Sequence, residues 1–221
     1  MKPITHIETP FKEKFGVPRQ PLLVKEAWGK MSFPKNDFFS EAFRGIEASS
    51  HLWLIFEFHQ IPNEGFNGLV RPPRFEGKKK LGVYATRSPH RPNRLGLSVV
   101  QFDRLEVLGG EIVLWVKGVD LVNGTPIFDI KPYVPYSDRI MEATSENFDE
   151  APAVCRVTWK CHPELSQHER QLIEKVIALD PRPGHDKDLQ GEHGVSLAGW
   201  NVRFRFIDEG LEIFEVTKAE P

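Results

Sequence analysis

Residues 95–122, LGLSVVQFDRLEVL-GG-EIVLWVKGVDLV, contain two long strand-forming runs separated by a pair of glycines. β-Branched and other apolar residues dominate both runs, and such residues favour an extended, half-buried backbone. Gly109-Gly110 accepts the positive φ angles that a tight hairpin turn requires. The stretch therefore predicts an antiparallel hairpin made of residues 95–108 and 111–122.

Further strand-forming runs lie on both sides of this hairpin. Residues 50–58 are apolar on both faces and predict a buried central strand, and residues 81–86 and 126–131 predict two more strands. Residues 35–48 predict one short helix. Many strands with little helix between them favour an antiparallel barrel or sandwich, which we assign to a domain of residues 1–142.

The composition changes in an acidic, polar stretch around residues 142–152, which we interpret as a connector. Residues 152–221 then predict a small β-α-β-β domain. Its predicted elements are a strand at 154–160, a helix at 163–179 and strands at 200–207 and 211–216. The expected fold class is mainly β, with an antiparallel barrel-like N-terminal domain and a small α+β C-terminal domain.

The bulk composition is that of a soluble globular protein. Of 221 residues, 40% are hydrophobic and 27% charged, and 29 Lys+Arg against 31 Asp+Glu leave a net charge of -2. This balance gives no support to nucleic-acid or membrane binding, so any such case must come from local clustering. Two cysteines, Cys155 and Cys161, exclude a disulfide framework and a four-cysteine zinc site. We expect no metal and, since no signal core or apolar span is present, a cytoplasmic location without membrane contact.

Basic residues are concentrated in one proline- and glycine-rich region. Between residues 71 and 94, eight basic residues face a single acid, Glu76. This density predicts binding of phosphate or another anion, and the alternative is a charged loop that only confers solubility. The basic residues are Arg71, Arg74, Lys78, Lys79, Lys80, Arg87, Arg91 and Arg94.

Three polar strings present side chains from proline-stiffened turns: residues 15–20, 87–93 and 120–133. Fixed φ angles reduce the entropy lost when such loops bind a ligand. His90 could be an acid/base, a phosphate ligand or an ordinary hydrogen-bonding loop residue. Asp129 and Lys131 alternate around one residue, so we expect both on one side of a strand, as an ion pair.

The usual nucleotide-binding and hydrolase motifs are missing from the sequence. It has no G-x-G-x-x-G, no Walker loop and no G-x-S-x-G elbow. The histidines have no Cys or Glu companions at metal-ligand spacing. A Rossmann-type cofactor site is therefore not expected.

Together the strings resemble the TsaA-like family, the tRNA N6-adenosine methyltransferases also called TrmO. The matching elements cover residues 15 to about 138, and Asp180-Pro181-Arg182-Pro183 is similar to the C-terminal extension of that family. They are Phe15-Gly16-Val17-Pro18-Arg19-Gln20, Gly45-Ile46-Glu47, Ser50-His51-Leu52-Trp53-Leu54, Val70-Arg71-Pro72-Pro73-Arg74, Gly82-Val83-Tyr84-Ala85-Thr86-Arg87-Ser88-Pro89-His90-Arg91-Pro92-Asn93 and Asp129-Ile130-Lys131-Pro132-Tyr133.

The resemblance implies a β-barrel that binds S-adenosylmethionine and works as a homodimer, with the cofactor near the subunit interface. The implied reaction adds a methyl group to N6 of N6-threonylcarbamoyladenosine, beside the anticodon of a threonine tRNA. The anticodon arm of that tRNA is the implied partner. The implied cofactor-binding residues are Pro18, Arg19, Gln20, His59, Gln60, Arg87, Leu97, Leu121, Val122, Asn123, Gly124 and Thr125.

The resemblance also implies a substrate side and three candidates for a proton acceptor: Asp129, His90 and Tyr133. The expected substrate-binding residues are Arg71, Arg74, Lys78, Lys79, Lys80, Arg91, Asn93, Arg94 and Lys131. The sequence departs from the family pattern where Arg94 replaces a usual proline and Asn123 a common acid. Two alternatives are a non-catalytic RNA-binding or cofactor-sensing barrel and a methyltransferase with a different small acceptor.

Overall fold

The structure is a computed structural model that describes residues 1–62, 68–72, 75, 79–148, 150–182 and 191–219. Within these residues the chain forms a closed six-stranded barrel, a four-stranded sheet and a two-stranded ribbon. In chain order the elements are β1 (Thr5–Glu8), β2 (Trp28–Pro34), α1 (Asp37–Ala42), β3 (His51–Glu57), β4 (Leu69–Val70), β5 (Leu81–Gly82), β6 (Leu95–Leu108), β7 (Glu111–Lys117), β8 (Thr125–Pro132), α2 (Pro135–Asp138), β9 (Val157–Trp159), α3 (Gln167–Ala178), β10 (Glu192–Leu197), β11 (Trp200–Ile207) and β12 (Gly210–Lys218).

The barrel is antiparallel and its strands follow the order β1-β2-β7-β6-β3-β8 before closing. The predicted hairpin is confirmed: β6 and β7 pair through a turn in which Gly109 and Gly110 have φ angles of 58° and 84°. β7 ends at Lys117 and not at residue 122. The reason is Gly118, whose φ of 76° turns the chain while its N–H donates to the carbonyl of Ala27.

Strand alternation separates a packed barrel interior from an outer face. On β3, Leu52, Leu54 and Phe56 are buried, whereas Trp53 and Ile55 point outward and are half-buried. The same alternation on the paired strands fills the interior with apolar side chains. Side chains of neighbouring residues on one strand therefore lie on opposite sides of the barrel wall.

Two parts of the N-terminal half differ from the sequence prediction. Residues 81–86 form only the short β5 and then a 3-10 turn, Val83–Ala85, because Thr86 closes the turn by donating to the carbonyl of Val83. β1 and β2 were not predicted. The local pattern of β2 is weak because Gly29, Lys30 and Ser32 interrupt its apolar residues.

The C-terminal sheet has the strand order β10-β11-β12-β9, with β12 and β9 parallel. α3 begins at a capping box in which Ser166 and Glu169 exchange hydrogen bonds, and its apolar face is buried. Three strands follow this helix, whereas the sequence predicted two. The additional strand, β10, contains Glu192, His193 and Gly194, residues that disguise its alternation.

The C-terminal sheet contacts the N-terminal part of the chain through β10 and through the turn between β10 and β11. Ala198 N donates to the carbonyl of Pro10 at 2.8 Å. Gly16 has a φ of 85°, and a Cβ at this position would lie 2.7 Å from Val195 and 2.8 Å from Leu197. Only glycine therefore fits where the loop of residues 15–20 passes under the sheet.

The expected fold class, mainly β with an antiparallel barrel and a small α+β C-terminal part, is confirmed. No described helix is long and apolar enough to cross a membrane.

Candidate cofactor and substrate site

The first contact between predicted site residues joins two strings that are 67 residues apart. Arg87 Nη1 donates to Gln20 Oε1 at 2.5 Å. Gln20 is held in this position by the loop of residues 15–20, in which Pro18 is buried and Gly16 fixes the turn. The contact places a guanidinium and an amide side by side, which are groups suited to a carboxylate or to other polar ligand atoms.

The turn of residues 121–125 is fixed against the N-terminal chain. Asn123 N donates to the carbonyl of Phe11 at 2.7 Å, and the Thr9 hydroxyl donates to the carbonyl of Leu121 at 2.9 Å. The side-chain oxygen of Asn123 accepts from Thr9 N at 3.0 Å. The asparagine that replaces a common family acid thus holds the turn in place.

A buried carboxylate, that of Asp120, lies directly before this turn, and no sequence motif singles it out. Asp120 is half-buried as a residue, but its Oδ1 has no solvent contact and no hydrogen-bond partner among the described residues. Burial raises the pKa of Asp120 to about 6, against the opposing effects of a Ser98 hydrogen bond and the Arg87 charge. Ser98 is itself only 2% exposed.

His59 and Gln60 follow β3 and reach the first string through Lys14. Lys14 Nζ donates to the carbonyl of Gln60 at 3.3 Å. Partial burial lowers the pKa of His59, and the nearby Glu57 carboxylate opposes this shift. The structure therefore brings this predicted pair close to the loop of residues 15–20.

A cleft of about 200 Å³ opens between this loop and the C-terminal part of the chain. Arg19 Nη2 donates to the carbonyl of Asp180 at 3.3 Å across it. The Arg182 side chain is 8% exposed and donates two hydrogen bonds, of 2.8 and 2.9 Å, to the Asp180 carboxylate. Its guanidinium also lies over the Phe206 ring. Burial opposes ionisation of Asp180, but the Arg182 contacts outweigh it and lower the pKa.

A second group of predicted residues lies on the outer face of the barrel. Lys131 and Asp129 form the expected ion pair at 2.8 Å, and the opposed residues on β3 are Trp53 and Ile55. The ring of Tyr133 lies 5.7 Å from that of Trp53, centroid to centroid. The structure therefore brings Asp129, Lys131 and Tyr133 together on one surface.

Leu97 belongs to this outer surface and not to the barrel interior. It pairs with Ile55, and it is 55% exposed, whereas its neighbours Gly96 and Ser98 face inward. Its predicted cofactor contact therefore requires a cofactor that reaches the outside of the barrel wall.

The loop of residues 87–93 is shaped by one of its own arginines. Arg91 Nη1 donates to the carbonyls of Thr86 and Ser88 at 3.0 and 3.3 Å. His90 and Asn93 are exposed on this loop. Among the other residues of the basic region, Arg71, Lys79 and Lys80 are exposed. The predicted residues Arg74 and Lys78 lie outside the residues that the structure describes.

Arg94 has structural partners. Its guanidinium pairs with Glu57 and donates to the carbonyl of Ile61 at 2.8 Å, and its φ is 49°. Proline, the residue usual at this position in the family, cannot adopt that φ. The role of Arg94 in substrate binding stays a prediction, while its contacts hold the end of β3.

We expect Arg94→Ala to reduce the free energy of unfolding by about 1–3 kcal/mol, because Glu57 would lose its partner. The side chains of Arg94 and Glu57 are only 20% and 25% exposed, so water compensates incompletely. Denaturant unfolding measures the loss. Arg44→Ala removes an 80% exposed partner of Glu41 and is the control, with an expected change near zero. Equal midpoints for the two variants would contradict the structural role.

Similarity to known proteins defines the class of this chain. Residues 6–139 match the family model described as tRNA-methyltransferase O N-terminal domain, and residues 148–219 match the TrmO C-terminal domain. The chain is 40% identical over 221 residues to the tRNA (adenine(37)-N6)-methyltransferase of Escherichia coli, covering 94% of this chain and 93% of that one. It is also 40% identical to a putative S-adenosylmethionine-dependent methyltransferase of Pseudomonas aeruginosa, covering 93% and 92%.

A solved structure agrees with these sequence matches. The crystal structure of TrmO from Pseudomonas aeruginosa superposes with a TM-score of 0.76 at 34% identity and covers 99% of this chain and 96% of that one. Fold and matches define a methyltransferase built on a β-barrel. The chain belongs to the TrmO family, and the resemblance found in its sequence is confirmed.

The cofactor of this protein is S-adenosylmethionine, and the residues around Arg87 fit it chemically. The cofactor has a carboxylate, an ammonium group, hydroxyls and an adenine amino group. Arg87 and Gln20 offer a guanidinium and an amide, which can bind its carboxylate and its hydroxyls. Among the described residues no group of three or more His, Cys, Asp or Glu side chains could hold a metal ion.

Proposed function

We propose that this protein methylates N6 of N6-threonylcarbamoyladenosine beside the anticodon of a threonine tRNA. It is an enzyme that uses S-adenosylmethionine. The observation that carries the proposal is the match to a tRNA (adenine(37)-N6)-methyltransferase over 94% of this chain and 93% of that one. The described residues add a polar cluster at Arg87 and an exposed set of basic side chains.

In this proposal the cofactor binds at the cluster of Gln20, Arg87 and the turn of residues 121–125. When bound, S-adenosylmethionine supplies a methyl group on a sulfonium leaving group. The chain then needs to orient that methyl group in line with N6, and rigid loops serve this purpose. The hydrogen bonds that fix the turn to Thr9 and Phe11 support such a role.

The substrate side comprises the exposed basic residues and the outer face of the barrel. Arg71, Lys79 and Lys80 are suited to phosphates of the anticodon arm, and an arginine such as Arg91 is suited to the threonyl carboxylate. The carbamoyl substituent makes the N6 proton more acidic than in adenosine, so a weak base or water is sufficient. Asp129, His90 and Tyr133 remain the three candidates for this step.

We also propose a homodimer with the cofactor near the interface, acting on tRNA in the cytoplasm. The outward direction of Leu97 supports a shared site, since a residue on the outer wall can meet a cofactor held against a second subunit. Its 55% exposure would fall when an apolar partner surface covers it.

The test is methyl transfer from labelled S-adenosylmethionine to tRNA taken from a strain that lacks this gene. Digestion to nucleosides and mass spectrometry should place the label on N6-threonylcarbamoyladenosine. Transfer RNA made without the threonylcarbamoyl group is the matched control and should receive no label. Labelling of another nucleoside would contradict the proposed substrate, and tight cofactor binding without any tRNA product would move the acceptor elsewhere.

A further inference from the structure

The C-terminal part of the chain, made of α3 and the sheet β10-β11-β12-β9, contacts the loop of residues 15–20 that carries three predicted cofactor-binding residues. Just before the loop, Glu13 Oε1 accepts from Ser196 N of β10 at 3.1 Å. Gly16 then passes so close to β10 that a Cβ on it would lie 2.7 Å from Val195. The first half of the loop is therefore fixed against β10.

The second half of the loop contacts the segment that follows α3. Arg19 Nη2 donates to the carbonyl of Asp180 at 3.3 Å across the cleft of about 200 Å³. This bond uses only one of the N–H donors of a guanidinium, so the others can bind a ligand. The Asp180 carbonyl therefore orients the Arg19 guanidinium and leaves it able to bind.

Asp180 presents this carbonyl from a strained backbone conformation. Its φ is 49°, in the left-handed region, and its N–H closes the end of α3 by donating to the carbonyl of Ile177 at 2.9 Å. Arg182 bonds both oxygens of the Asp180 carboxylate, at 2.8 and 2.9 Å, and its guanidinium lies 3.7 Å from the centroid of the Phe206 ring. The ion pair thus fixes the direction in which the Asp180 carbonyl points toward Arg19.

We infer that Asp180 and Arg182 are positioning residues for the methyl-transfer reaction, which hold the Arg19 guanidinium where it binds S-adenosylmethionine. The Arg182 side chain is only 8% exposed, and a buried ion pair adds little net stability over apolar residues of the same size, so stability alone does not account for this pair. A side chain held in its binding position loses less entropy when the ligand arrives. The inference rests on the predicted role of Arg19 and on the cofactor placement in the proposed function. It gives the C-terminal part of the chain a role in cofactor binding.

The first test measures the affinity for S-adenosylmethionine by calorimetry on the intact protein. Arg182→Ala should weaken binding roughly 2- to 10-fold, the effect of one hydrogen bond that no longer holds Arg19. Arg205→Ala is the matched control. Arg205 also bonds a carboxylate, that of Glu212, and lies over a phenylalanine ring of the same sheet, but it does not line the cleft. Equal affinities of the two variants would overturn the inference.

A double-variant cycle tests whether Arg182 acts through Arg19. In the Arg19→Ala protein, adding Arg182→Ala should cause no further loss of affinity, because the side chain that Arg182 positions is already gone. Additive losses would mean that Arg182 acts in another way and would refute the positioning role.

The conservative variant at residue 180 gives a rescue. Asp180→Asn keeps an acceptor for Arg182 and a residue type that tolerates the left-handed region, so it should retain most of the affinity that Asp180→Ala loses. An Asp180→Asn protein as weak as Asp180→Ala would contradict the inference.

Hydrogen exchange without the cofactor gives a readout that does not depend on binding. The amides of residues 15–20 should exchange faster in Arg182→Ala than in the parent protein or in Arg205→Ala, because the loop loses one of its anchors. Unchanged exchange would overturn the inference. If Arg182→Ala does not fold, Arg182→Lys keeps the charge and the alkyl chain but not the planar fork, and the same measurements then decide.

These results separate the inference from the proposed function. If N6-threonylcarbamoyladenosine receives no label, the proposed substrate is wrong, and the affinity and exchange measurements still decide the role of Arg182. If Arg19→Ala binds the cofactor as tightly as the parent protein, the predicted role of Arg19 is wrong and the inference fails with it. If Arg19→Ala binds weakly and Arg182→Ala binds normally, only the inference is wrong.

Discussion

Arg87→Ala should weaken S-adenosylmethionine binding roughly 10- to 150-fold, as expected when charge-assisted hydrogen bonds worth about 1.5–3 kcal/mol are lost. The residue is exposed, so the truncation leaves no cavity in the core. Its guanidinium would no longer hold Gln20, and its charge would no longer lower the pKa of Asp120. Titration calorimetry with S-adenosylmethionine measures the loss of affinity.

Thermal unfolding must accompany this measurement, because the result is informative only if Arg87→Ala stays folded. We expect its free energy of unfolding to change by no more than about 0.5 kcal/mol, as for other surface sites. Arg156→Ala is the matched control, since this arginine is 70% exposed and pairs with Glu209. A folded Arg87→Ala protein with the affinity of the control would remove Arg87 from the cofactor site.

The sequence predicts the barrel well where local signals and tertiary packing agree. β6 was predicted with its observed ends, because a long β-rich run is followed by the glycines of a tight turn. β2 and β10 were missed because glycine and charged or polar residues interrupt their few apolar ones, as Gly29-Lys30 does in β2 and His193-Gly194 in β10. Their places are decided by long-range pairing with β7 and β11, which no local pattern reveals.

The site was predictable in part for a similar reason. The strings containing Gln20 and Arg87 are polar, stiffened by proline and similar to a known family, and the structure brings these two residues into contact. Asp120 and Ser98 carry no such signal. A serine inside an apolar strand and an aspartate before a turn are ordinary residues until the closed barrel buries their polar atoms. Burial, and not residue type, makes each of them unusual.

A strand glycine beside the same site should be the most sensitive packing position of the barrel wall. Gly96 on β6 lies opposite Phe56 on β3, and a Cβ at Gly96 would lie 2.2 Å from Phe56 Cζ and 2.3 Å from its Cε2. Phe56 is 3% exposed and packs edge-on against Phe58, so its ring has little room to move. We expect Gly96→Ala to cost about 1–3 kcal/mol, the usual range for overpacking.

For a chain of this size, about 2–4 °C is lost per kcal/mol, so thermal unfolding of Gly96→Ala should begin clearly below that of the parent protein. Gly194→Ala is the matched control: this glycine also lies in a strand, but a Cβ there meets no atom within 4 Å. Its stability should be unchanged or slightly raised, because alanine restricts the unfolded chain.

The double variant Gly96→Ala with Phe56→Leu identifies the cause of the loss. The Phe56 ring atoms Cζ and Cε2 occupy the space that a Cβ at residue 96 would need, and leucine lacks these atoms. The double variant should therefore regain part of the stability that Gly96→Ala loses. Residues in direct contact show interaction energies of about 0.5–3 kcal/mol in such cycles, and this one should be clearly non-additive. Strict additivity would mean that Gly96 is required for its backbone conformation and not to make room for the Phe56 ring.

Because Leu97 and Ser98 follow Gly96 directly, a strand displaced by the new methyl group should also weaken cofactor binding. The double variant should restore both stability and cofactor binding.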